Sequence, residues 1–192
     1  MIPMPANIRS QRGLTLIEVL VTIVILAVGL LGIAGLQSRL QVSEMEAYQR
    51  AQALLLLNDM ANRLASNRNA VLTYVTGTDN PLGAGMTCPT DTSSRQDIDA
   101  LEWCQSLQGA GEKLAGETNV GTLLGGRGCV EESPVGSGQF LITVAWQGLT
   151  PLSAPPAGVA CGADEYDGAA DSECVDDLCR RVVTTVVRVA TL

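Results

Sequence analysis

Residues 14–36 read LTLIEVLVTIVILAVGLLGIAGL, and this stretch decides how the rest of the chain can be arranged. Its only ionisable side chain is that of Glu18. At a rise of about 1.5 Å per residue, a helix of this length could cross a hydrocarbon core of about 30 Å. The positive-inside rule would keep the preceding Arg9 and Arg12 in the cytoplasm. The sequence therefore predicts a membrane-spanning helix whose C-terminal side faces out of the cytoplasm.

Glu18 is out of place among leucines, isoleucines and valines. A carboxylate inside a bilayer costs several kcal/mol unless it is paired or near the headgroups, so its position indicates a functional residue. Two interpretations stay open at this point, a paired carboxylate and a glutamate that reaches the membrane interface. A secretory signal peptide is disfavoured, because the apolar run is too long and no small-x-small cleavage site follows it.

The helix is predicted to continue to about Asn67, since no proline occurs between Pro5 and Pro81. Apolar residues recur at three- or four-residue steps, as an amphipathic helix requires: Val42, Met45, Ala53, Leu56, Met60 and Leu64. Charged residues mark a wetter side: Arg39, Glu44, Glu46, Arg50 and Arg63. Three glycines, Gly29, Gly32 and Gly35, indicate either close packing between helices or a segment that can melt.

All six cysteines lie in the C-terminal part of the chain: Cys88, Cys104, Cys129, Cys161, Cys174 and Cys179. An even number confined to one region predicts three disulfides in an oxidising compartment. We expect Cys174 and Cys179 to tie the last loop to the last strand. The full connectivity stays open among fifteen pairings.

The C-terminal part also contains two strand patterns. Gln139–Gln147 alternates in period two, with Phe140, Ile142, Val144 and Trp146 on one face, and 180–190 is rich in β-branched residues. A weaker pattern predicts a helix over 97–114, with Ile98, Leu101 and Leu107 on one side, and a long loop covers 151–168. The fold class is α+β, a long N-terminal helix packed on a small antiparallel, disulfide-bonded sheet.

The composition excludes several function classes. There are no histidines, which excludes a Ser-His-Asp triad, a Cys-His pair and any histidine metal site. The formal net charge of −8 disfavours a general nucleic-acid surface. An acidic loop could hold Ca²⁺, although its spacing does not match an EF-hand and a solvated loop is the simpler interpretation: Asp164, Glu165, Asp167, Asp171, Glu173, Asp176 and Asp177. No cofactor, resident metal or enzymatic activity is predicted.

The segment Gly13-Leu14-Thr15-Leu16-Ile17-Glu18-Val19-Leu20 resembles the type III signal of type IV prepilins. The resemblance implies that a membrane aspartyl peptidase cuts after Gly13 and methylates the new N-terminus at Leu14, where this family usually has phenylalanine. It also implies that the Glu18 carboxylate pairs with the Leu14 ammonium of a neighbouring subunit and sets the axial register. Such a pair would relieve two charges in an apolar filament core.

The resemblance extends to the PilV group of minor pilins. TLIEVLVTIVILAVGLLGIAGLQ and NDMANRLASNR look like the helix of that group, and LITVAWQG and CRRVVTTVVRV fit its head more loosely. This implies a leader at 1–13, a transmembrane and filament-core helix at 14–36, an amphipathic helix at 37–67, and a disulfide-bonded head at 68–192.

The same resemblance implies a function in pilus assembly, in a priming or tip complex, and in adhesion or twitching motility. The implied partners are the prepilin peptidase, the major pilin and other minor pilins, the assembly machinery of the inner membrane and a large tip adhesin. The implied location is the bacterial inner membrane with the head in the periplasm, and then the extracellular filament.

Two alternatives remain. A minor pseudopilin of a type II secretion system shares the N-terminal signal, although such proteins often have shorter heads and fewer cysteines. A DNA- or surface-binding minor pilin would need a local basic patch, because loss of Arg9 and Arg12 with the leader changes the formal charge from −8 to −10. The clustered candidates are Arg180, Arg181 and Arg188, and strand alternation places the first two on opposite faces. A nucleic-acid partner is therefore not expected, and an electrophoretic shift assay would test this.

Overall fold

The computed structural model describes residues 13, 15–110, 123–169 and 171–189. The chain divides into two compact units, Met1–Ser43 and Glu44–Leu192. The elements in chain order are α1 (Leu16–Ser66), a 3-10 helix (Arg68–Tyr74), β1 (Leu82–Gly83), α2 (Arg95–Leu107), β2 (Arg127–Glu132), β3 (Gln139–Gln147) and β4 (Arg180–Arg188). The predicted α+β architecture, a long helix with a small antiparallel sheet and disulfides, is confirmed.

In the second unit, α1 buries one narrow face. Its buried residues recur at steps of three and four: Gln49, Ala53, Leu57, Met60 and Leu64. The predicted face includes Leu56, which is half-buried and packs against the core, but it missed Leu57 and was wrong at Val42 and Met45, which are exposed. The run from Leu54 to Leu57 is apolar at every position, so periodicity alone could not select the buried leucine. Arg63, expected on the wetter side, is instead largely buried in an ion-pair cluster.

The four strands form one antiparallel sheet in the order β1-β2-β3-β4. The predicted strand at Gln139–Gln147 is confirmed as β3, and the final strand is confirmed as β4 up to Arg188. Ala190, the predicted last residue of that strand, lies outside the described residues.

One face of the sheet carries the main core. The predicted alternation is confirmed, since Phe140, Ile142, Val144 and Trp146 are all buried in one cluster with the buried face of α1. Trp103 of α2 is fully buried in the same cluster and donates its indole N–H to the Leu56 carbonyl at 3.0 Å. Gly128 of β2 lies directly against this indole, so a larger residue there would collide with the ring.

The second face of the sheet is also partly covered, which the alternation of apolar residues in β3 did not predict. Thr143 and Ala145 of β3 are fully buried. The predicted loop at 151–168 packs against this face. A Cβ atom added to Gly162 would lie 3.3 Å from the side chain of Ala145, and Cys161 is disulfide-bonded to Cys129 of β2. The loop therefore acts as a third layer over β2 and β3.

The predicted helix at 97–114 is α2, which begins earlier, at Arg95, and ends earlier, at Leu107, because 108–110 form a turn; residues 111–114 lie outside the described residues. Ser94 and Asp97 form a reciprocal capping box, which explains the start. The expected apolar side was wrong in part, because Ile98 and Leu101 are only half-buried. The buried side comprises Asp99, Ala100, Trp103, Cys104 and Leu107.

Candidate functional site

The N-terminal segment begins in an extended stretch and enters α1 at Leu16. Gly13 is exposed and lies outside any regular element, while Leu14 lies outside the described residues. Thr15 precedes the helix, and its carbonyl accepts from the N–H groups of Glu18 and Val19 at 3.1 and 3.3 Å. The Thr15 hydroxyl also accepts from the Glu18 N–H at 3.4 Å, which makes Thr15 the N-terminal cap.

Glu18 lies in the first turn of α1 and is exposed. The helix macrodipole favours a carboxylate at this end, where N–H groups lack acceptors. Among the residues that the structure describes, its carboxylate has no hydrogen-bond or ion-pair partner. The pairing partner that an apolar environment would require must therefore come from outside this set.

The first unit carries a continuous apolar surface. Large side chains from Leu16 to Leu40 are exposed, and none of the most apolar window of α1 is buried within the chain. By length and composition the helix could cross a membrane. Within this stretch, the Thr22 hydroxyl donates to the Val19 carbonyl at 2.8 Å and so is satisfied within the helix. These features fit membrane anchoring.

Gly29, Gly32 and Gly35 have open space around them. A Cβ atom added at any of the three would meet nothing within 4 Å. Nothing in the described chain therefore requires their small size. The two sequence interpretations, close packing with other helices and local melting, both remain.

Residues 8–34 match the family model described as the prokaryotic N-terminal methylation motif. No curated protein and no solved structure matched the chain. The motif covers the basic residues, Gly13, Leu14 and Glu18, and it is found in prepilin-like N-termini. Together with the α+β fold, it supports a pilin-like protein of the type IV pilin or pseudopilin class.

The class has direct consequences for processing and location. A prepilin-type motif implies processing by a prepilin peptidase and work with a pilus or secretion machinery. The motif and the exposed apolar helix together fit anchoring in a membrane. The role of such proteins is structural rather than catalytic.

All six cysteines are paired in the structure. Cys88 is joined to Cys104 of α2, Cys129 of β2 to Cys161 of the covering loop, and Cys174 to Cys179 directly before β4. Their Cα–Cα distances of 5.7, 5.9 and 5.1 Å are ordinary for disulfides. The first two bridges attach a loop to a regular element, and the last one closes the loop directly before β4.

A buried carboxylate, Asp99, was not identified from the sequence. It is 1% exposed and is contacted by Arg63 at 2.7 Å and Arg95 at 2.9 Å. The Tyr74 hydroxyl donates to it at 2.6 Å, and burial together with this hydrogen bond raises the pKa of Tyr74. The group links α1, α2 and the 3-10 helix, which is a structural role. Only the Arg95–Asp99 spacing of four residues could have suggested part of it.

The arginines of β4 do not form a shared basic patch. Arg180 is buried, pairs with Asp177 at 2.9 Å and donates to the carbonyls of Val159 and Cys161. Arg181 points to the other face of the sheet, where it pairs with Glu46 of α1 at 3.3 Å. The predicted split of these two residues between faces is confirmed.

The acidic loop is held by its own hydrogen bonds. Asp177 accepts from the Asp164 N–H and donates its own N–H to Asp167, and Glu165 pairs with Arg127 at 2.7 Å. Within the described ranges, no group of three or more cysteine or acidic side chains is placed to hold a metal ion. The side chains of Asp167, Asp177 and Glu165 stabilise the local fold through these contacts.

Proposed function

We propose that this chain is a minor type IV pilin of the PilV group that helps to prime pilus assembly and lies at or near the tip. In this role it would contribute to adhesion or twitching motility. The observation that carries the proposal is the prepilin-type motif at 8–34, in which an exposed apolar helix bears one carboxylate with no partner among the described residues. A disulfide-bonded head suits an extracellular location.

The proposal assigns a role to each part of the chain. Residues 1–13 are the leader, 14–36 the membrane and filament-core helix, 37–67 the helix that continues into the head, and 68–192 the head. Gly13 is the last leader residue, Leu14 becomes the methylated N-terminus, and Glu18 pairs with that terminus on a neighbouring subunit. The neighbours are the major pilin, other minor pilins and a tip adhesin.

Mass spectrometry of the membrane-extracted protein tests the processing step. The mature chain should begin at methylated Leu14. Gly13→Ala should be processed poorly and Gly13→Val not at all, because a peptidase that requires the smallest residue at the cut has no room for a branched side chain. A mature chain that still begins at Met1 would end the pilin proposal.

Deletion of the gene separates the two machineries that use this motif. Loss of surface filaments in electron micrographs, with normal protein secretion, supports the pilus role. Normal filaments with failed secretion of folded proteins would instead identify a minor pseudopilin of a type II secretion system. Re-expression of the wild-type chain should restore whichever phenotype is found.

A further inference from the structure

The two edges of the sheet are finished differently. At the β1 edge, the Val130 carbonyl accepts from the N–H groups of Thr76 and Gly77, and its N–H donates to the Thr76 hydroxyl. The carbonyl of Gly83 accepts from the side chain of Gln108 at 2.8 Å. This edge is closed by the chain itself.

The β4 edge has no such cover among the described residues. β4 pairs with β3 over nine consecutive residues without a bulge. Between Val182 and Val187 it contains no charge, proline or glycine, which are the features that usually protect an edge strand. From Val182 to Arg188, the described residues provide hydrogen bonds to β4 only from β3.

The ladder identifies which groups face outward. The Gly148 N–H donates to the Cys179 carbonyl at one end, and the Val189 N–H donates to the Gly138 carbonyl at the other. Hydrogen-bonded pairs alternate along an antiparallel ladder, so odd-numbered residues of β4 bond to β3. The backbone groups of Val182, Thr184, Val186 and Arg188 therefore point away from the sheet, at intervals of about 7 Å.

We propose that this edge accepts an extended segment of a different protein, which adds a fifth strand beside β4. A row of alternating donors and acceptors at strand spacing is satisfied best by another backbone in the same conformation. The side chains beside the row, Thr184 and Val186, are exposed and suit a β-branched partner strand. This inference depends on the fold of the head and not on the proposed pilus function.

Charge selects the occupant. Arg188 is exposed and has no ion-pair partner among the described residues, so the incoming strand should carry a carboxylate opposite it. A second copy of this chain fits less well. The register that pairs β4 antiparallel with its own copy along its whole length sets Arg188 of one copy opposite Arg180 of the other, twice. Arg188 would then meet an arginine in place of a carboxylate, and the Asp177 carboxylate beside that arginine is already paired with Arg180.

Hydrogen exchange with residue resolution, on the full chain in detergent, tests the proposal. The probe is a synthetic heptapeptide of alternating valine and threonine with a glutamate at each end. The amides of Val183, Thr185 and Val187 should exchange slowly with and without it. The amides of Val182, Thr184 and Val186 should exchange fast alone and at least about tenfold more slowly with saturating peptide, since they gain acceptors. A peptide with a central proline, or with lysine in place of glutamate, should bind at least about tenfold more weakly.

Two variants locate the binding. Thr184→Pro removes an outward N–H and no bond to β3, and it should weaken peptide binding at least about tenfold. Val186→Lys should weaken it while the exchange of the odd-numbered amides is unchanged. Val135→Lys is the matched control, because Val135 is 89% exposed in the turn between β2 and β3. If Thr184→Pro fails to fold, the comparison of peptide binding by Val186→Lys and Val135→Lys still tests the proposal.

Three results would overturn the proposal. The first is no change in exchange at the outward amides when the glutamate peptide is added. The second is slow exchange there before any peptide is added, which would mean that another part of this chain covers the edge. The third is a detergent-solubilised dimer, measured by sedimentation, that Val186→Lys dissociates, which would make a second copy the occupant.

Discussion

The two parts of α1 treat apolar side chains in opposite ways. In the first unit they are exposed on every side of the helix, whereas in the second unit one narrow face is buried and the remainder is mixed. Leu26 is 64% exposed and Leu57 is 3% exposed. Apolar surface that a chain does not bury itself needs another apolar environment, and the first part fits anchoring in a membrane.

The glutamates of the two parts differ in the same way. Glu46 accepts from the Leu149 N–H at 3.2 Å and from Arg181 at 3.3 Å, both in the second unit. Glu18 has no partner for its carboxylate among the described residues. The second part of α1 therefore finds packing and ion-pair partners within the head, whereas the described residues supply none for the first part.

The largest effect is expected for Glu18→Val, which removes the carboxylate of the first part of α1. Insertion and leader cleavage should persist, since the helix becomes more apolar. Under the proposed pairing of Glu18 with the Leu14 ammonium of a neighbouring subunit, incorporation into sheared filaments should fall at least about tenfold, because removal of one member of a buried ion pair costs about 3–5 kcal/mol. Immunoblots of sheared filaments against inner-membrane fractions measure this, and Glu18→Asp should be intermediate.

Glu46→Val is the matched control in the second part. It should lower the free energy of unfolding of the head by about 1–3 kcal/mol, because a largely buried arginine and a backbone N–H lose an acceptor. Incorporation of the folded protein should stay normal. If Glu18→Val were incorporated as well as the wild type, head contacts alone would recruit this subunit.

Leu57→Ala and Leu26→Ala compare a buried leucine of the second part of α1 with an exposed leucine of the first part. The first should destabilise the head by about 2–5 kcal/mol, the usual cost of a cavity at a buried leucine. The second should leave head stability unchanged. Denaturant unfolding followed by tryptophan fluorescence reports on the head alone, because both tryptophans, Trp103 and Trp146, are buried there. Equal losses from both variants would contradict the division.

The disulfides should contribute to the second unit only, and unequally. Loop-closure entropy predicts roughly 4 kcal/mol for Cys129–Cys161, which spans 32 residues, and roughly 2 kcal/mol for Cys174–Cys179, which spans 5. Paired alanine variants at each bridge, unfolded by denaturant, measure the difference. Membrane association through the first unit should not change in either variant, and a change there would show that the two parts are not independent.

Alkaline pH should also act on the head alone. Burial raises the pKa of Tyr166 from 10.0 to about 12. The unfolded chain therefore loses this proton first, so head stability is full below pH 10 and declines as the pH rises towards 12, by up to about 1.4 kcal/mol per unit. Tyr166→Phe should flatten this part of the stability profile. An unchanged profile in the variant would assign the loss to other groups.

The spacing of apolar residues predicted correctly those helices and strands in which a single set of residues fits the periodicity. The apolar run in the first part of α1 and the alternation of Phe140 to Trp146 both follow from residue type and spacing. Prediction failed where several residues satisfied one pattern equally. Within Leu54–Leu57 every position is apolar, and in α2 Ile98 and Leu101 competed with Ala100 and Trp103 for the buried side.

The sequence by itself determined an apolar helix with one carboxylate, a region of paired cysteines and two β-rich segments, because these depend on side-chain chemistry and on short-range periodicity. Only the tertiary structure decided which cysteines pair, that Asp99 is buried between two arginines, and that a loop covers Thr143 and Ala145. It also decided that β4 ends the sheet with its outer edge uncovered by the described residues. These features join residues distant along the chain, and no local periodicity reports such distances.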